Sequence, residues 1–228
     1  MKVLIVLNYA TDKLWGQLTI ESFSDHIRKH APDAEIDVCH LAGGEDLPSS
    51  SKYDLVVLSG GTFNLISDVP LPWVEQVLGL IRQIAKDNSG TKLLGFCWGH
   101  QATQFALGGK LDVLNKSNIG IETIDLTTEG QSFFEGQSSL KIHKYHKRVV
   151  SEPAPGFKLL GRNNEILLSE SGNIITFQGH PELTAEIARN LLDSDDGSYV
   201  DNSTVSSTTA PHDGLYIWDR LMKFVTNT

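Results

Sequence analysis

A cysteine framed by glycines, at residues 95–99, is the part of the sequence with the clearest chemical potential. Gly95, Cys97 and Gly99 have the spacing of a nucleophile elbow, with a sulfur in place of the usual serine oxygen. Glycines suit such a turn because it is tight and the surrounding backbone packs closely against it. The pattern predicts that the sulfur stands clear of a sheet, where the first free N–H groups of a helix, beginning at Trp98, can stabilise a negative charge.

Two other roles are compatible with Cys97. A free cysteine is often a small, inert, buried side chain, but the glycines around this one favour the nucleophile. A disulfide with Cys39, the only other cysteine, is disfavoured because no signal-peptide pattern precedes the apolar segment Val3–Leu7. Two cysteines in 228 residues also fit a reducing compartment. We therefore expect a cytoplasmic protein with a free thiol.

A thiol nucleophile needs a base beside it, because a free cysteine is only a few per cent thiolate at neutral pH. Among the eight histidines, His180 is the best placed, since it follows an apolar strand at 174–178. The carboxyl ends of parallel strands share one edge of a sheet, so His180 and Cys97 lie together if their strands run in the same direction. Glu182 can then fix the tautomer of the ring. A simple cap and turn is the alternative role of this His-Pro-Glu segment.

The paired glycines Gly60 and Gly61 follow another apolar strand, Asp54–Leu58. Their backbone N–H groups are unobstructed by side chains, as an oxyanion hole requires, and a flexible turn is the alternative. No histidine spacing predicts a metal site, because His143 and His146 lie on a probable strand and point to opposite faces. The sequence therefore predicts neither a metal nor a cofactor.

Alternating strands and helices would position these residues. Strands are predicted at Val3–Leu7, Glu35–His40, Asp54–Leu58 and Lys92–Phe96, and helices at Leu14–His30, from Pro72 to about Asp87, and from Ala102. Continuous apolar strands separated by helices indicate a parallel sheet covered on both faces. After Gly109 the pattern changes to short strands, which we expect to extend the same sheet in antiparallel fashion.

Two further helices are predicted, from about Glu182 to Leu192 and over Leu215–Val225, with Leu215 packed inward. The acidic, Ser/Thr-rich residues 193–213 between them predict a mobile surface loop. The length of 228 residues suits one domain over 1–228.

Composition limits the possible partners. With 19 basic and 28 acidic residues, the net charge is −9, which argues against nucleic acid or an anionic membrane as the partner. No apolar segment has the length needed to cross a bilayer. The short basic stretch Lys141–Arg148 is interpreted as a solvated strand edge.

Taken together, the three motifs resemble those of the class I (triad-type) glutamine amidotransferases. The matching segments are Ser59–Gly61, Gly95–Gln101 and Gly179–Glu182, in the order that the family has them. The chain is most similar to the stand-alone, guanylate-synthetase-like branch. The resemblance implies an α/β fold: a flavodoxin-like three-layer αβα sandwich whose mixed central sheet is mostly parallel with an antiparallel extension.

The resemblance also implies site residues. Cys97 would be the nucleophile, His180 the general base and acid, and Glu182 the carboxylate that orients the ring. The other implied site residues are Gly60, Gly61 and Trp98 for the oxyanion, and Gln101, Tyr145 and His146 for the substrate.

Three functions are compatible with these residues. The first is hydrolysis of glutamine's side-chain amide, with delivery of ammonia to a possible separate synthase subunit. The second uses the same residues as a γ-glutamyl peptidase on glutathione-like conjugates. The third is a catalytically silent binding module on the same fold, which the complete triad disfavours.

Overall fold

The computed structural model describes residues 1–10, 12–66, 68–86, 90–197 and 208–226. Within these ranges the strands are β1 Lys2–Asn8, β2 Glu35–Cys39, β3 Leu55–Gly61, β4 Lys92–Phe96, β5 Lys110–Asp125, β6 Ser139–Glu152, β7 Phe157–Gly161, β8 Ile166–Ser169 and β9 Ile174–Phe177. The α-helices are α1 Leu14–His30, α2 Pro72–Lys86, α3 Trp98–Ala106, α4 Thr128–Phe133, α5 Ala185–Asp193 and α6 Gly214–Thr226.

The central sheet has the strand order β2-β1-β3-β4-β9-β8-β7. Five neighbouring strands, β2, β1, β3, β4 and β9, are mutually parallel, and β8 and β7 add an antiparallel edge. This α/β architecture, a mostly parallel mixed sheet with an antiparallel extension, confirms the predicted fold class. Because β4 and β9 are parallel neighbours, the segments that follow them emerge at the same edge of the sheet.

The sheet separates two hydrophobic cores, because successive side chains of a strand point to opposite faces. On one face, Ile5, Val57 and Phe96 pack with Phe23 of α1 and Trp218 of α6. The other face carries Val6 and Leu58 of the sheet together with Ile81 of α2 and Trp98 and Ala102 of α3. The helices thus cover both faces, as the continuous apolar strands predicted.

The prediction that every strand after Gly109 extends the main sheet is wrong for two of them. β5 and β6 pair with each other as a separate antiparallel ribbon, from Lys110↔Glu152 to Asp125↔Ser139. The edge of β4 is occupied by β9, and β9 is followed outward by β8 and β7. The two strands of the ribbon form their backbone hydrogen bonds with each other instead.

Three helix predictions also need correction. α3 begins at Trp98, directly after the cysteine, and not at Ala102. The helix predicted from about Glu182 begins later, at Ala185, because the Thr184 hydroxyl caps it by accepting from the Ile187 N–H at 3.2 Å. His180 and Glu182 lie ahead of this helix, in a bridge and a turn. Leu215 is 64% exposed and does not pack inward.

The predicted loop over 193–213 overlaps the end of α5, which extends to Asp193. The mobility predicted for its middle falls on residues 198–207, which lie outside the described residues, as does the predicted helix end at Asp87. In the part of the chain that the structure describes, no helix has both the length and the apolar character needed to cross a membrane.

Candidate active site

The cysteine lies at a strained turn between β4 and α3. Its φ of 50° and ψ of −101° are unusual for a residue with a side chain, and such strain persists only where the surroundings enforce it. A Cβ on Gly95 would lie 2.9 Å from the Gly99 carbonyl oxygen, and one on Gly99 would lie 2.6 Å from that of Leu58. The Cys97 N–H donates to the Phe177 carbonyl at 2.8 Å. Close backbone packing therefore requires both glycines, as the elbow pattern predicted.

His180 follows β9 and is held in place by two neighbouring elements. Its N–H donates to the His143 carbonyl on β6 at 2.8 Å. Its ring nitrogen Nδ1 lies 2.7 Å from Glu182 Oε1, and this carboxylate fixes the ring orientation. On the far side, the Ser22 hydroxyl of α1 donates to the Glu182 backbone carbonyl at 2.7 Å. The turn that carries the two side chains is thus fixed by both β6 and α1.

Gly60 marks the point at which cysteine and histidine meet. A Cβ placed on Gly60 would lie 3.1 Å from His180 Cε1 and 3.8 Å from Cys97 Cβ. The thiol donates to the Tyr145 carbonyl at 3.7 Å. Among the described residues, the buried ring nitrogen Nε2 of His180 has no nitrogen or oxygen partner, and the ring interacts with the Cys97 thiol. The ring of His180 thus contacts a carboxylate through one nitrogen and lies beside a sulfur.

The electrostatics favour a charged ring at His180. Burial acts to lower its pKa, but the carboxylate of Glu182 and the sulfur of Cys97 outweigh burial and raise the pKa to about 10. The neighbouring histidine His146 behaves in the opposite way. Burial, and then the positive charges of Lys144 and His180, hold its pKa well below the usual range. At neutral pH the site thus contains one protonated imidazole between a carboxylate and a sulfur.

The predicted oxyanion residues lie around the same point. A Cβ on Gly61 would lie 2.5 Å from the Asn8 carbonyl oxygen and 3.2 Å from Cγ of the Trp98 ring, so only glycine fits there. Trp98 is fully buried, and its indole N–H donates to the Phe63 carbonyl at 2.9 Å. The indole N–H is thus satisfied, and the backbone N–H of Trp98 is at the first position of α3, where the helix itself offers it no acceptor.

The three predicted substrate-binding residues line the cavity beside the cysteine. The Gln101 side-chain amide donates to the Arg148 carbonyl at 2.7 Å, and His146 Nδ1 lies 3.2 Å from the same oxygen. The Tyr145 hydroxyl donates to Asp195 at 2.5 Å. The shared contact with Arg148 places Gln101 and His146 side by side, while Tyr145 lies beside Asp195.

The interpretation of Lys141–Arg148 as a solvated strand edge is wrong. Lys144 has a fully buried side chain that pairs with Glu165, and His143 is also buried. The charge of Lys144 is satisfied inside the protein by a residue close in space but distant in sequence, which no local pattern reveals. Among the described residues, no group of three or more histidine, cysteine, aspartate or glutamate side chains is arranged to hold a metal ion.

Comparison with known proteins decides the family. The profile of the family described as "Glutamine amidotransferase class-I" matches residues 22–193. This chain belongs to the class I glutamine amidotransferase family. The prediction made from the three motifs is thereby confirmed.

Similarity to individual members of the class I family covers most of the chain. The glutamine amidotransferase-like protein chry6 of Gibberella zeae is 38% identical over 99% of this chain and 95% of its own. Gamma-glutamyl peptidase 2 of Arabidopsis thaliana is 28% identical over 65% of this chain and 60% of its own. The crystal structure of a glutamine amidotransferase from Thermotoga maritima superposes with a TM-score of 0.78 at 19% identity, covering 99% of this chain and 98% of that one. The last comparison supports the fold alone.

In this family member the cysteine opens into a cavity of about 580 Å³. Its walls include residues that the motifs did not indicate: Tyr9, Lys13, Trp15, Leu191 and Asp195. The first three lie in or beside the connection from β1 to α1. The signal that could have found them is topological, because β1 is the parallel neighbour of β3, so its following loop reaches the same edge as Gly60.

Proposed function

We propose that this protein hydrolyses γ-glutamyl amides, of which glutamine is the simplest, with Cys97 as nucleophile, His180 as general base and acid, and Glu182 as the orienting carboxylate. The observation that carries the proposal is the convergence of the sulfur and the imidazole next to Gly60, with the carboxylate 2.7 Å from the far ring nitrogen. A nucleophile beside a base, and a base beside an orienting group, is the arrangement that covalent acyl transfer needs.

The proposed reaction has two halves. The proton of Cys97 resides on His180 Nε2, and the thiolate forms a bond to the γ-carbonyl carbon. As the C–N bond breaks, His180 returns that proton to the nitrogen, and ammonia or an amine leaves. Water then gives a proton to His180 and adds to the thioester. Collapse breaks the C–S bond and releases glutamate, and the sulfur leaves as the thiolate beside the protonated His180, as at the start.

The oxyanion of both halves would be bound by backbone N–H groups of Gly60 or Gly61 together with that of Trp98. Donors fixed before the reaction stabilise developing charge without reorganisation, and the loss of one such donor typically slows turnover on the order of a hundredfold or more. Gln101, Tyr145 and His146 would hold the glutamyl part. Their positions in the lining of the cavity support this role.

Two substrate classes fit this chemistry. Delivery of ammonia from glutamine to a separate synthase subunit is the first, in keeping with the family description. A γ-glutamyl peptidase activity on glutathione-like conjugates is the second. The cavity of about 580 Å³ favours the peptidase activity, because that volume lies within the range of pockets for drug-sized ligands, about 300–1,000 Å³.

The free state of Cys39 and Cys97 is in keeping with a cytoplasmic location.

The test is release of free glutamate from glutamine and from a γ-glutamyl dipeptide. We expect Cys97→Ala to abolish release from both substrates while the protein stays folded. Cys39→Ala, at the other buried cysteine, is the matched control and should retain activity. Release from glutamine alone favours the amidotransferase, and release from the dipeptide favours the peptidase.

The binding-module alternative is tested by labelling with a glutamine-like diazo-ketone, which alkylates an activated thiol. We expect label on Cys97 and none on Cys39. Absence of label together with absence of turnover would exclude the proposed enzyme and leave a silent binding module.

A further inference from the structure

The wall of the cavity next to the triad is aromatic. Tyr9 and Trp15 both line the cavity, and their ring centroids lie 4.7 Å apart at an interplanar angle of 55°. Leu183 and Leu191 line the cavity as well and add apolar surface. A site that released only ammonia would not need the apolar surface that two aromatic rings and two leucine side chains provide.

This wall lies on the side of the general acid. Burial, followed by the negative charge of Glu182, raises the pKa of Tyr9 well above its ordinary value, so the phenol is neutral and close to that carboxylate. Thr19 on α1, one turn beyond Trp15, also lines the cavity, and Ser22 contacts the Glu182 backbone. The first turns of α1 thus pack directly against the segment that carries the triad histidine.

The position of the general acid indicates which part of a substrate the aromatic wall would contact. A general acid must lie within hydrogen-bond distance of the nitrogen that it protonates, so the leaving group is next to His180. Any substituent on that nitrogen projects away from the glutamyl part, and the β1–α1 connection leads into a helix that contacts the turn of His180 and Glu182. The aromatic wall is therefore placed to contact the leaving group.

We propose that Tyr9 and Trp15 form a leaving-group subsite that selects γ-glutamyl amides of amines that carry an aromatic ring. This inference rests on the γ-glutamyl chemistry proposed above and names its substrate class. Aromatic rings pack favourably edge to face, beyond the gain from area alone. A planar amine substituent packed against the Tyr9–Trp15 pair would be recognised in this way, whereas a methyl group would leave the wall uncovered.

The experiment compares two substrates that differ only in the leaving amine, γ-glutamyl-benzylamide and γ-glutamyl-methylamide. For the wild-type protein we expect kcat/KM for the benzylamide to exceed that for the methylamide by roughly tenfold to a hundredfold. Trp15→Ala should reduce this ratio about tenfold, and Trp15→Leu, which keeps apolar volume, should reduce it as well. Leu14→Ala is the matched control, since Leu14 is the neighbouring residue of α1 and is 56% exposed.

Each outcome bears on the inference separately from the function. Hydrolysis of both amides at equal kcat/KM would overturn the subsite and leave the proposed function standing. A benzyl preference that survives both Trp15 variants would overturn the assignment to this wall. Absence of glutamate release from either amide and from glutamine would overturn the proposed function and the inference together. A γ-glutamyl-cyclohexylmethylamide separates aromatic from merely apolar recognition, and turnover equal to that of the benzylamide would contradict the aromatic part.

Discussion

Two buried pairs of a basic and an acidic side chain contact β6, and they differ in what surrounds them. The Lys144 side chain is 0% exposed and its partner Glu165 is 16% exposed. His180 and Glu182 are buried to a similar degree, at 9% and 1% exposure, yet they line the cavity, and the ring of His180 also interacts with the sulfur of Cys97. Similar side chains thus form a closed pair, Lys144 with Glu165, and an open pair, His180 with Glu182, which faces the cavity.

The difference between the two pairs explains which histidines near the site carry a proton. After burial, the charge of Lys144 is the next cause that lowers the pKa of both His100 and His146. These histidines are therefore neutral, and His180 is the one whose pKa is raised. The closed pair helps to keep its surroundings uncharged, and the open pair holds the proton that the proposed reaction would use. Removal of a residue from each pair should therefore have different consequences.

The largest effect is expected from breaking the open pair. Glu182→Gln keeps the shape of the side chain but removes the charge that orients and stabilises the protonated ring of His180. We expect kcat to fall on the order of 10⁴-fold with little loss of secondary structure, measured by glutamate release and circular dichroism. Glu186→Gln, at an exposed carboxylate in the first turn of α5, is the control. A fall of less than tenfold in Glu182→Gln would contradict the triad.

Breaking the closed pair should act on stability instead. Lys144→Met leaves the carboxylate of Glu165 without its partner, and the loss of one member of a buried pair costs about 3–5 kcal/mol. Unfolding in urea would measure this change. The surface pair Lys110–Glu152, 68% and 64% exposed, provides the control Lys110→Met, for which little change is expected.

A double variant sharpens the same comparison. Lys144→Met combined with Glu165→Leu removes both charges, so no uncompensated carboxylate remains, and most of the lost stability should return. A double variant as unstable as the single one would mean that packing, and not charge, is what Lys144 contributes.

The open pair should also make stability depend on pH. The pKa of His180 is raised to about 10 in the folded protein, against about 6.5 in an unfolded chain. Between these values the folded state binds the extra proton, so stability from this group is complete below pH 6.5 and is lost as pH rises towards 10. The free energy of unfolding, measured at pH 7 and pH 9.5, should fall less in Glu182→Gln than in the wild type. An equal fall in both would contradict the coupling.

The motifs of the open pair could be predicted from sequence because each lies directly after a strand. Gly95, Cys97 and Gly99 follow β4, and His180 follows β9, so the parallel order of the sheet brings them to one edge. The fold class and the family are confirmed, while the catalytic roles of Cys97, His180 and Glu182 stay predictions.

The closed pair could not be predicted, because its members lie 21 residues apart and the charge of Lys144 suggests exposure. The separate ribbon of β5 and β6 was missed for a related reason. An alternation of apolar and polar side chains predicts a strand, but it does not indicate which other strand pairs with it. The aromatic wall was missed because Tyr9 and Trp15 resemble ordinary core residues until the connection after β1 is placed in space.

The smallest expected effect concerns Gly60, which separates the sulfur from the imidazole. In Gly60→Ala the new methyl group would lie 3.1 Å from His180 Cε1, so the ring must move by a few tenths of an ångström. We expect kcat/KM to fall roughly tenfold with little change in stability, because small displacements at a reacting centre are costly. Gly79→Ala is the matched control, since a methyl group there meets nothing within 4 Å on the exposed face of α2. That variant should stabilise the helix by about 0.5–1 kcal/mol and leave activity unchanged. If Gly60→Ala were as active as Gly79→Ala, the contact between Gly60 and the ring would not constrain the catalytic geometry, and the open pair would be less tightly positioned than its distances indicate.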